Sequence, residues 1–576
     1  MCGIIGYIGS EKASQIITDG LKLLEYRGYD SVGIAIRNGT SIEVRKGKGT
    51  VEDVSTEMDF VSVDGTVGIG HARWATHGVV SKENSHPHSD CTGKILLAHN
   101  GVIENFTELK HQLVARGHKF ASETDSEIIA HILEEESKSK PFLQAFFSTL
   151  KKLQGSYAIV AMSAKDKDEL FIARKNSPLI IGVGKNEMLC ASDIPAMLKH
   201  TKNFVPLEEG DIAVLTRTGY EIYSIDGSEL TRKQITVNWS LDIAQKSGYA
   251  HFMLKEIHDQ KHFINESLAS DVTDAKKLID EHDRVEIIAA GTSYHAGLLL
   301  AHLLSNAGKS AQAFVASDYQ YIAKPTNNTL IVAITQSGET ADVLQAVRYA
   351  GNCKKLAITN TVGSSITRLS DCTILMNSGP EIGVAATKTF TSQLAIIYKL
   401  VYPKERLVKL SDLIAKMLEQ EEEIKKIATI LVNKEHAFFI ARGRNVPIAY
   451  EASLKFKEIT YIHSEAYPGG ELKHGTLSLI TDGTPIIVLA PSDETLQKLF
   501  GNMKEAKTRG GLIISITNDD GMKNESDAVI SLPNCDEILY PFTLIIPLQL
   551  LAYYVSVLRG INPDRPRNLA KSVTVE

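Results

Sequence analysis

The chain has 576 residues, of which 43% are hydrophobic and 23% are charged, an ordinary balance for a globular protein of about three or four domains. Its formal net charge of −7 provides no basic field for a phosphate backbone, so nucleic-acid binding is not expected. The cysteines form no CxxC pair, which argues against a zinc site or a disulfide scaffold and favours a reducing cytoplasm; they are Cys2, Cys91, Cys190, Cys353, Cys372 and Cys535.

The first predicted element is an apolar strand that begins beside Cys2, in the sequence MCGIIGYIG. If Met1 is removed, Cys2 carries a thiol and a free α-amine on one residue. An α-amine has a pKa near ~8, so part of it is a neutral base at pH 7. This arrangement is typical of N-terminal nucleophiles. By position alone, the plainer interpretation of Cys2 is a chance cysteine in a buried strand.

Residues 1–235 predict a domain of short β-strands divided by Gly, Asn and Asp turns. Apolar residues at helical spacing indicate two helices, near Ala13–Leu24 and Ser126–Glu135. We therefore expect an α+β domain in which antiparallel sheets pack on each other under a cover of helices. The sequences that indicate strands are GIGHARWATHG, KILLAHNGVI, GSYAIVAMSA, ELFIARK and DIAVLTRTGYEIYSI.

Two polar motifs accompany strands of this domain. In HARWATHG, Arg73 can hold a carboxylate with two hydrogen bonds, as the capture of an amino acid requires. In AHNGVIEN, Asn100-Gly101 is a natural tight turn, and a hairpin corner is one interpretation. The same pair can present a side-chain amide and a backbone N–H side by side, as an oxyanion hole requires.

A third motif, SETDSE, precedes the second predicted helix. Thr124 or Asp125 is interpreted by default as a helix cap, although an aspartate there also suits a substrate ammonium group. Together with MCGIIGYIG, LEYRGYDSVG and the His-Pro-His of residues 86–88, these motifs closely resemble the class II glutamine amidotransferase family, whose members are N-terminal-nucleophile glutaminases. The resemblance covers the whole domain.

This resemblance implies a role for each motif. Cys2 would attack the side-chain amide of glutamine while its α-amine moves the proton. Asn100 and the Gly101 N–H would stabilise the tetrahedral oxyanion, and ammonia would be the product that matters. The residues implied in binding glutamine are Arg73, Thr76, His77 and Asp125.

After a polar, helix-prone connector, the chain alternates strand and helix, which predicts parallel sheets. An internal repeat at an offset of about 150 to 160 residues indicates two related α/β units in tandem. For example, VEIIAAGTSYHAGLLLAHLL parallels AFFIARGRNVPIAYEASLKF. The expected division is a first domain at 1–235, a linker at 236–275, α/β domains at 276–415 and 416–566, and a tail at 567–576.

The first α/β unit contains a candidate phosphate cradle. TQSGET follows an apolar strand and opens a helix, so hydroxyls of Thr335, Ser337 and Thr340 can join free helix N–H groups. AGTSYH places Thr292 and Ser293 at the corresponding turn of the preceding strand. Each of these residues is also interpreted as a simple helix cap, but ligands gather at the carboxyl ends of open α/β sheets. Because no GxxxxGK[ST] motif occurs, no nucleotide is inferred.

The second unit carries ionisable side chains instead. In YEASLKFKEITY, Glu451, Lys455 and Glu458 share one helical face, as either a surface ion-pair ladder or a proton-transfer site. His474 follows in ELKHG, a Gly-bounded loop. Lys571 in the tail has two interpretations: an exposed lysine of the chain end with no specific role, or a nucleophile that forms a Schiff base. In APSDET, the turn that matches TQSGET, an aspartate would repel phosphate, so one phosphate site per tandem pair is expected.

These motifs resemble sugar isomerase (SIS) domains, and the complete order resembles the glutamine–fructose-6-phosphate aminotransferase family from Cys2 to Glu576. The resemblance implies that glutamine and fructose 6-phosphate become glucosamine 6-phosphate and glutamate in a homodimer, with the histidine loop reaching the neighbouring subunit. No metal or redox cofactor is expected, because an imine supplies the electron sink. The residues that the resemblance implies in holding the sugar phosphate are Thr292, Ser293, Gln336, Ser337 and Thr340, and the turn pattern adds Thr335.

The same resemblance implies the chemical roles. His474 would open the sugar ring, and Lys571 would form an imine with the C2 ketone. Glu458 would move a proton between C1 and C2, with Lys455 beside it. Trp74 resembles the gate of an internal ammonia channel.

Three other functions share part of this pattern. A different class II amidotransferase, such as one serving phosphoribosyl diphosphate, would need an acceptor half that TQSGET contradicts. A sugar-amine deglycase would share the tandem units without needing Cys2. A sugar-phosphate sensor would have no need of Glu458, His474 and Lys571.

The sequence PFTLIIPLQLLAYYVSVL, at residues 541–558, is nearly uncharged and about as long as a membrane span. Polar residues and Pro547 interrupt it, and charges flank it closely. We expect a buried helix in the core of a large α/β domain rather than a membrane span, and the cysteine spacing favours a cytoplasmic protein.

Overall fold

The computed structural model describes residues 2–75, 78–166, 168–237 and 246–573. The chain forms two compact units: Met1–Ala244 together with Ala570–Glu576, and Gln245–Leu569.

Strands and short helices build the first unit. Its helices are α1 (Ala13–Leu24), α2 (Val51–Glu57), α3 (Phe106–Ala115), α4 (Glu127–Ser137) and α5 (Phe142–Leu150). Its strands are β1 (Gly3–Ile8), β2 (Ser31–Asn38), β3 (Ser41–Lys48), β4 (Val67–Arg73), β5 (His88–Ser89), β6 (Ile95–Ile103), β7 (Gly155–Ser163), β8 (Leu170–Lys175), β9 (Ile180–Val183), β10 (Met188–Ala191), β11 (Asn203–Pro206), β12 (Ile212–Leu215), β13 (Tyr220–Tyr223), β14 (Glu229–Leu230) and β15 (Ile235–Thr236).

Two antiparallel sheets stack in this unit. Their strand orders, over the described residues, are β15-β11-β9-β10-β1-β4-β2-β3 and β14-β13-β12-β8-β7-β6-β5. Ile4 and Ile69 of the first sheet share one apolar core with Val160 of the second. The outer face of the first sheet packs against α1 and α2, and that of the second packs against α3, α4 and α5. The predicted stack of antiparallel sheets with helical cover is confirmed.

The helices of this unit are more numerous than the sequence predicted. Helix α1 has the predicted bounds, and α4 begins one residue later than expected. The prediction of only two helices is wrong, because α2, α3 and α5 are also present. Helix α3 buries only Leu109 and Leu113, and α2 has only seven residues, so neither produces a long apolar stripe.

The second unit is built of parallel strands and longer helices. Its strands are β16 (Arg284–Ala289), β17 (Ser310–Val315), β18 (Thr329–Ile334), β19 (Lys354–Thr359), β20 (Cys372–Leu375), β21 (His436–Ala441), β22 (His463–Pro468), β23 (Pro485–Ala490), β24 (Leu512–Thr517) and β25 (Ala528–Ser531). Its helices are α6 (Phe252–Ala269), α7 (Thr273–Asp280), α8 (Gly291–Asn306), α9 (Tyr319–Ile322), α10 (Ala341–Tyr349), α11 (Ser365–Leu369), α12 (Lys388–Val401), α13 (Leu410–Leu418), α14 (Glu421–Leu431), α15 (Val446–Thr460), α16 (Leu496–Lys507), α17 (Asp520–Asn524) and α18 (Tyr540–Leu558).

The internal repeat appears as two parallel sheets of five described strands each. Their orders, β17-β16-β18-β19-β20 and β22-β21-β23-β24-β25, are identical after the repeat offset. Strands β16 and β18 are neighbours in parallel register, so the turns that follow them lie at the same edge. The predicted tandem of α/β units with parallel sheets is confirmed, and this edge holds the TQSGET and AGTSYH turns.

Helix α18 is the one described helix that is long and apolar enough to cross a membrane, and 89% of its most apolar window is buried. It packs against α14 and α15 inside the second unit. The Gln549 amide in its centre accepts a hydrogen bond from Gln260 Nε2 at 2.8 Å and donates one to Thr387 O at 3.3 Å. Its polar groups are therefore satisfied within the protein, and the predicted core helix is confirmed.

Candidate active sites

Cys2 lies at the start of β1, beside the end of β4. Its Sγ accepts a hydrogen bond from Trp74 N–H at 3.1 Å and lies 3.4 Å from Trp74 O. Burial raises the pKa of the Cys2 thiol, while the Trp74 N–H and the positive charge of Arg73 oppose that shift. A thiol in this position needs a base to become a nucleophile.

Asn100 belongs to strand β6 and lies next to Cys2. Its Nδ2 donates to Cys2 O at 2.8 Å. The hairpin-corner interpretation of Asn100-Gly101 is wrong, because both residues belong to β6 and face Ala158 and Tyr157 of β7. Gly101 has φ +133°, and a Cβ there would lie 2.1 Å from Ser156 O, so the position requires glycine.

His71 fixes the orientation of the Asn100 amide, a role that the sequence analysis missed. Its Nε2 lies 3.1 Å from Asn100 Oδ1 and 3.2 Å from His99 O. Because both neighbours are acceptors, Nε2 carries the hydrogen and Asn100 must direct its Nδ2 toward Cys2. Burial lowers the pKa of His71 to about 3, so the ring is neutral. Its signal in the sequence is its position two residues before Arg73 on one strand.

Arg73 and Asp125 lie close to the same site. The Arg73 guanidinium is buried and donates to Gly78 O at 3.3 Å and Val79 O at 3.4 Å. Burial lowers the pKa of Arg73, while Cys2 and Asp125 counteract the shift electrostatically. Asp125 is buried just before α4, where its Oδ2 accepts from Ile103 N–H at 2.7 Å.

The structure describes one of three other residues that the sequence analysis assigned to this unit's site. Thr76 and His77 lie outside the described residues. The Trp74 ring packs edge-on against Tyr29, with ring centroids 5.4 Å apart. Tyr29 therefore holds the indole of Trp74, the residue that follows Arg73.

In the second unit, α15 carries the predicted acid–base cluster. Glu451 and Lys455 are fully buried, so the interpretation as a surface ion-pair ladder is wrong. Lys455 forms ion pairs with Glu458 and, at 3.6 Å, with Glu451. Burial tends to lower the pKa of Lys455, but Glu458 and Glu451 outweigh burial and raise it. Lys455 is therefore a stable cation that positions the Glu458 carboxylate.

The same cluster reaches the first α/β domain through α8. Glu451 accepts from Thr292 Oγ1 at 3.0 Å, and its other oxygen lies 2.8 Å from His295 Nδ1. Ser293 Oγ accepts from Gln393 Nε2 at 2.9 Å. The AGTSYH turn is thus connected to the acid–base helix, and His295 and Gln393 are contacts that the sequence analysis did not identify.

The TQSGET turn follows β18 and precedes α10, as predicted. Thr335 Oγ1 lies 2.9 Å from Thr340 Oγ1 and accepts from Gly338 N–H at 3.3 Å. Ser337 Oγ accepts from Glu339 N–H at 3.2 Å, and Gln336 and Thr340 are half-buried. The hydroxyls are therefore held in a preformed turn at the predicted sheet edge.

The equivalent turn in the second α/β domain is filled by a carboxylate. Asp493 accepts from the Thr495 N–H at 2.9 Å and from the Thr495 hydroxyl at 2.7 Å. It also accepts from Asn445 Nδ2 at 2.9 Å. Asp493 occupies donors that an anion would need, which favours the prediction of one phosphate site per tandem pair.

His474 and Lys571 lie in less buried segments. His474 ends the short helical turn Gly469–His474 and is exposed. Lys571 is half-buried and belongs to the segment that is grouped with the first unit.

The chain just before Lys571 is anchored on the second unit. Arg567 N–H donates to Tyr461 Oη at 2.7 Å, and its guanidinium lies 4.2 Å from the centre of that ring. Asp564 accepts from the first two N–H groups of α6, both at 2.8 Å. Tyr461 caps α15, so this anchor lies at the end of the helix that carries Glu458.

Family models match both halves of the chain. The glutamine amidotransferase domain matches residues 71–199, and the SIS domain matches residues 277–402 and 430–559.

Curated relatives match along the full length. The chain is 47% identical to the glutamine–fructose-6-phosphate aminotransferase (isomerizing) of Pyrococcus horikoshii and 44% identical to that of Thermococcus kodakarensis. Both alignments cover 100% of this chain and 100% of the relative. Among solved structures, the C-terminal domain of glucosamine-fructose-6-phosphate aminotransferase from Francisella tularensis aligns with a TM-score of 0.53 and 34% identity, over 56% of this chain and 100% of that one.

Proposed function

Since the chain belongs to the family of glutamine–fructose-6-phosphate aminotransferases (isomerizing), we propose that its first unit hydrolyses glutamine and its second unit aminates and isomerises fructose 6-phosphate. The overall reaction converts L-glutamine and D-fructose 6-phosphate to D-glucosamine 6-phosphate and L-glutamate. The observation that carries the proposal is the position of Cys2, whose carbonyl and thiol receive hydrogen bonds from Asn100 and from the Trp74 backbone. The cysteine spacing and the buried α18 favour a cytoplasmic enzyme.

An assay with both substrates tests this function directly. We expect equal amounts of glutamate and glucosamine 6-phosphate. A deglycase would instead act without glutamine, and another class II amidotransferase would release glutamate without forming a hexosamine phosphate. Either result would contradict the proposal.

In the first unit, the α-amine of Cys2 takes the thiol proton after Met1 is lost. The thiolate attacks the side-chain amide carbon of glutamine, and Asn100 Nδ2 with the Gly101 N–H stabilises the oxyanion. The amine then returns the proton to the leaving ammonia, and water hydrolyses the thioester to glutamate. Arg73 and Asp125 would hold the carboxylate and the ammonium of the substrate, and we keep Thr76 and His77 as proposed binding residues.

In the second unit, the turns after β16 and β18 would hold the sugar phosphate. His474 opens the ring, and Lys571 forms an imine at C2 that ammonia displaces. Glu458 then removes a proton from C1 and delivers it to C2, while the C1 hydroxyl proton passes to the nitrogen, so the carbonyl forms at C1 and the amine remains at C2. Lys455 keeps the Glu458 carboxylate in position through their ion pair.

His71→Phe is expected to lower kcat for glutamine hydrolysis by about 10²-fold, because a misdirected Asn100 amide removes one oxyanion donor. KM for glutamine should change little, since His71 does not contact the substrate. His71→Gln keeps an N–H donor and should recover most of the activity. Steady-state kinetics distinguish the two variants. Equal losses in both would show that His71 only supports folding.

Trp74→Ala tests the proposed retention of ammonia. The backbone N–H that holds Cys2 remains, so glutamine hydrolysis should stay within about threefold of the wild type. Glucosamine 6-phosphate formed per glutamate should fall well below one, because ammonia escapes to solvent. Tyr29→Phe keeps the aromatic contact and is the matched control. A ratio of one in Trp74→Ala would remove Trp74 from this role.

We also propose a homodimer in which His474 serves the active site of the neighbouring subunit, which its exposed position permits. His474→Ala and Lys571→Ala should each be inactive in synthesis. Co-refolded in equal amounts, they should recover about a quarter of wild-type activity, since half of the dimers are mixed and each has one intact site. No recovery in a mixture that contains mixed dimers would show that His474 acts within its own subunit.

A further inference from the structure

A second cluster of reactive side chains lies in the first unit, away from the residues assigned to glutamine. Cys91 lies in the turn between β5 and β6, and His118 follows α3. His131 and Glu134 are three residues apart and therefore share one face of α4. Each residue directs one potential ligand atom to a common centre, and these atoms all lie within 4.8 Å of one another.

Three of the separations between these atoms lie in the range of a tetrahedral metal site, and two are slightly shorter. His118 Nδ1 lies 3.1 Å from His131 Nδ1, and Cys91 Sγ lies 3.5 Å from each. Glu134 Oε2 lies 3.1 Å from His118 Nδ1 and 3.6 Å from His131 Nδ1. Zinc bonds to nitrogen, oxygen and one sulfur imply ligand–ligand separations of about 3.3–3.6 Å in a tetrahedron.

The Nε2 atoms of the two histidines, which point away from the cluster, each contact a carboxylate, and this contact determines which ring nitrogen carries a hydrogen. His118 Nε2 lies 2.7 Å from Glu135 Oε1, and His131 Nε2 lies 3.4 Å from Glu127 Oε1. Glu127 is itself held by the N–H groups of Ala121 and Ser122, both at 2.7 Å. A carboxylate can only accept, so each Nε2 carries a hydrogen, and in the neutral form of each ring Nδ1 then presents a lone pair.

With both rings neutral, two Nδ1 lone pairs face each other at 3.1 Å beside a sulfur and a carboxylate oxygen, an arrangement that either a shared proton or a metal ion stabilises. A histidine that binds a metal through one nitrogen and donates the other N–H to a carboxylate has the usual arrangement of metal sites. A mixed sulfur, nitrogen and oxygen set with four protein ligands suits Zn²⁺ in a closed, structural site.

We propose that Cys91, His118, His131 and Glu134 bind one Zn²⁺ per chain. Binding displaces the thiol proton of Cys91 to solvent and forms a Zn–S bond, with no change of oxidation state. The ion joins the β5–β6 turn, the end of α3 and the middle of α4. Asp125 lies two residues before α4, so the same ion would stabilise the segment that positions this residue for the substrate.

The absence of a CxxC pair does not exclude this zinc site, because three separate segments of the chain supply its ligands. The one local signal is His-x-x-Glu on a helix, which also occurs on many solvated helices.

Metal analysis of the full chain tests the proposal. The protein, expressed without a histidine tag in zinc-supplemented medium and dialysed, should hold about one zinc per chain. Replacing zinc with Co²⁺ should give the visible bands of tetrahedral cobalt and a thiolate-to-cobalt charge-transfer band in the near ultraviolet. Protein without stoichiometric zinc, or cobalt spectra without a thiolate band, would overturn the proposal.

Variants identify the ligand cysteine. Cys91→Ser, at an exposed turn, should remove the charge-transfer band and lower zinc content at least tenfold, whereas Cys535→Ser is the matched control and should keep both. Cys2→Ser should also keep both. Loss of the band in Cys2→Ser, or its retention in Cys91→Ser, would place the metal elsewhere and refute this site. If Cys91→Ser does not fold, retention of the band in both Cys2→Ser and Cys535→Ser still supports Cys91, because among the described residues the one group of three or more potential ligands contains this cysteine.

Discussion

Cys2→Ala is expected to lower glutamine hydrolysis by about 10⁴-fold or more, because the thioester route needs the thiol. The Trp74 N–H and Asn100 already contact this residue, so the variant keeps the donors and loses only the nucleophile. Glutamate release from glutamine alone measures the first step. Glucosamine 6-phosphate synthesis from glutamine should fall by the same factor.

The control for this variant is Cys372→Ala, which removes a partly buried thiol from the second unit and should leave glutamate release unchanged. Because the proposed general base is the α-amine of Cys2, intact mass spectrometry of active enzyme should show the loss of Met1. Full activity in protein that retains Met1 or an N-terminal tag would contradict this mechanism, even if Cys2→Ala is inactive.

Much of the fold could be predicted from local strand and turn patterns in the sequence. TQSGET was placed correctly because a continuous apolar strand precedes it and a helix follows. The tandem repeat was visible because corresponding strands keep their apolar pattern at a constant offset. Helix α18 was recognised as a core helix because Gln549 and its flanking charges interrupt a membrane-like pattern.

Long-range contacts could not be predicted from local patterns. Asn100-Gly101 has a strong turn preference, yet pairing with β7 holds it in a strand. The sequence allowed a surface ion-pair ladder for Glu451 and Lys455, because charged residues are usually exposed, but the packing of α15 inside the second unit buries both residues. His71 acts through Asn100, a contact between residues that lie 29 positions apart.

The charge of Lys455 supports the proposal that Lys571, rather than Lys455, forms the imine with the sugar. Lysine becomes a nucleophile when its amine loses a proton, which burial favours and neighbouring carboxylates oppose. Glu458 and Glu451 raise the pKa of Lys455, so this residue is kept as a cation. Lys571 follows a segment that Arg567 and Tyr461 hold at the end of α15, which favours the tail as the source of the amine.

Lys571→Ala is therefore expected to lower glucosamine 6-phosphate synthesis by about 10⁴-fold, because the imine at C2 is no longer formed. Basal glutamine hydrolysis should stay within a few-fold of the wild type, since the chemistry at Cys2 does not need this amine. Borohydride should trap fructose 6-phosphate covalently on the wild type, at a peptide that contains Lys571, and not on the variant. Lys457→Ala, at an exposed position of α15, is the matched control and should keep both activities. Near-normal synthesis by Lys571→Ala would exclude Lys571 from the mechanism, and trapping at Lys455 would show that the sugar neutralises that cation on binding.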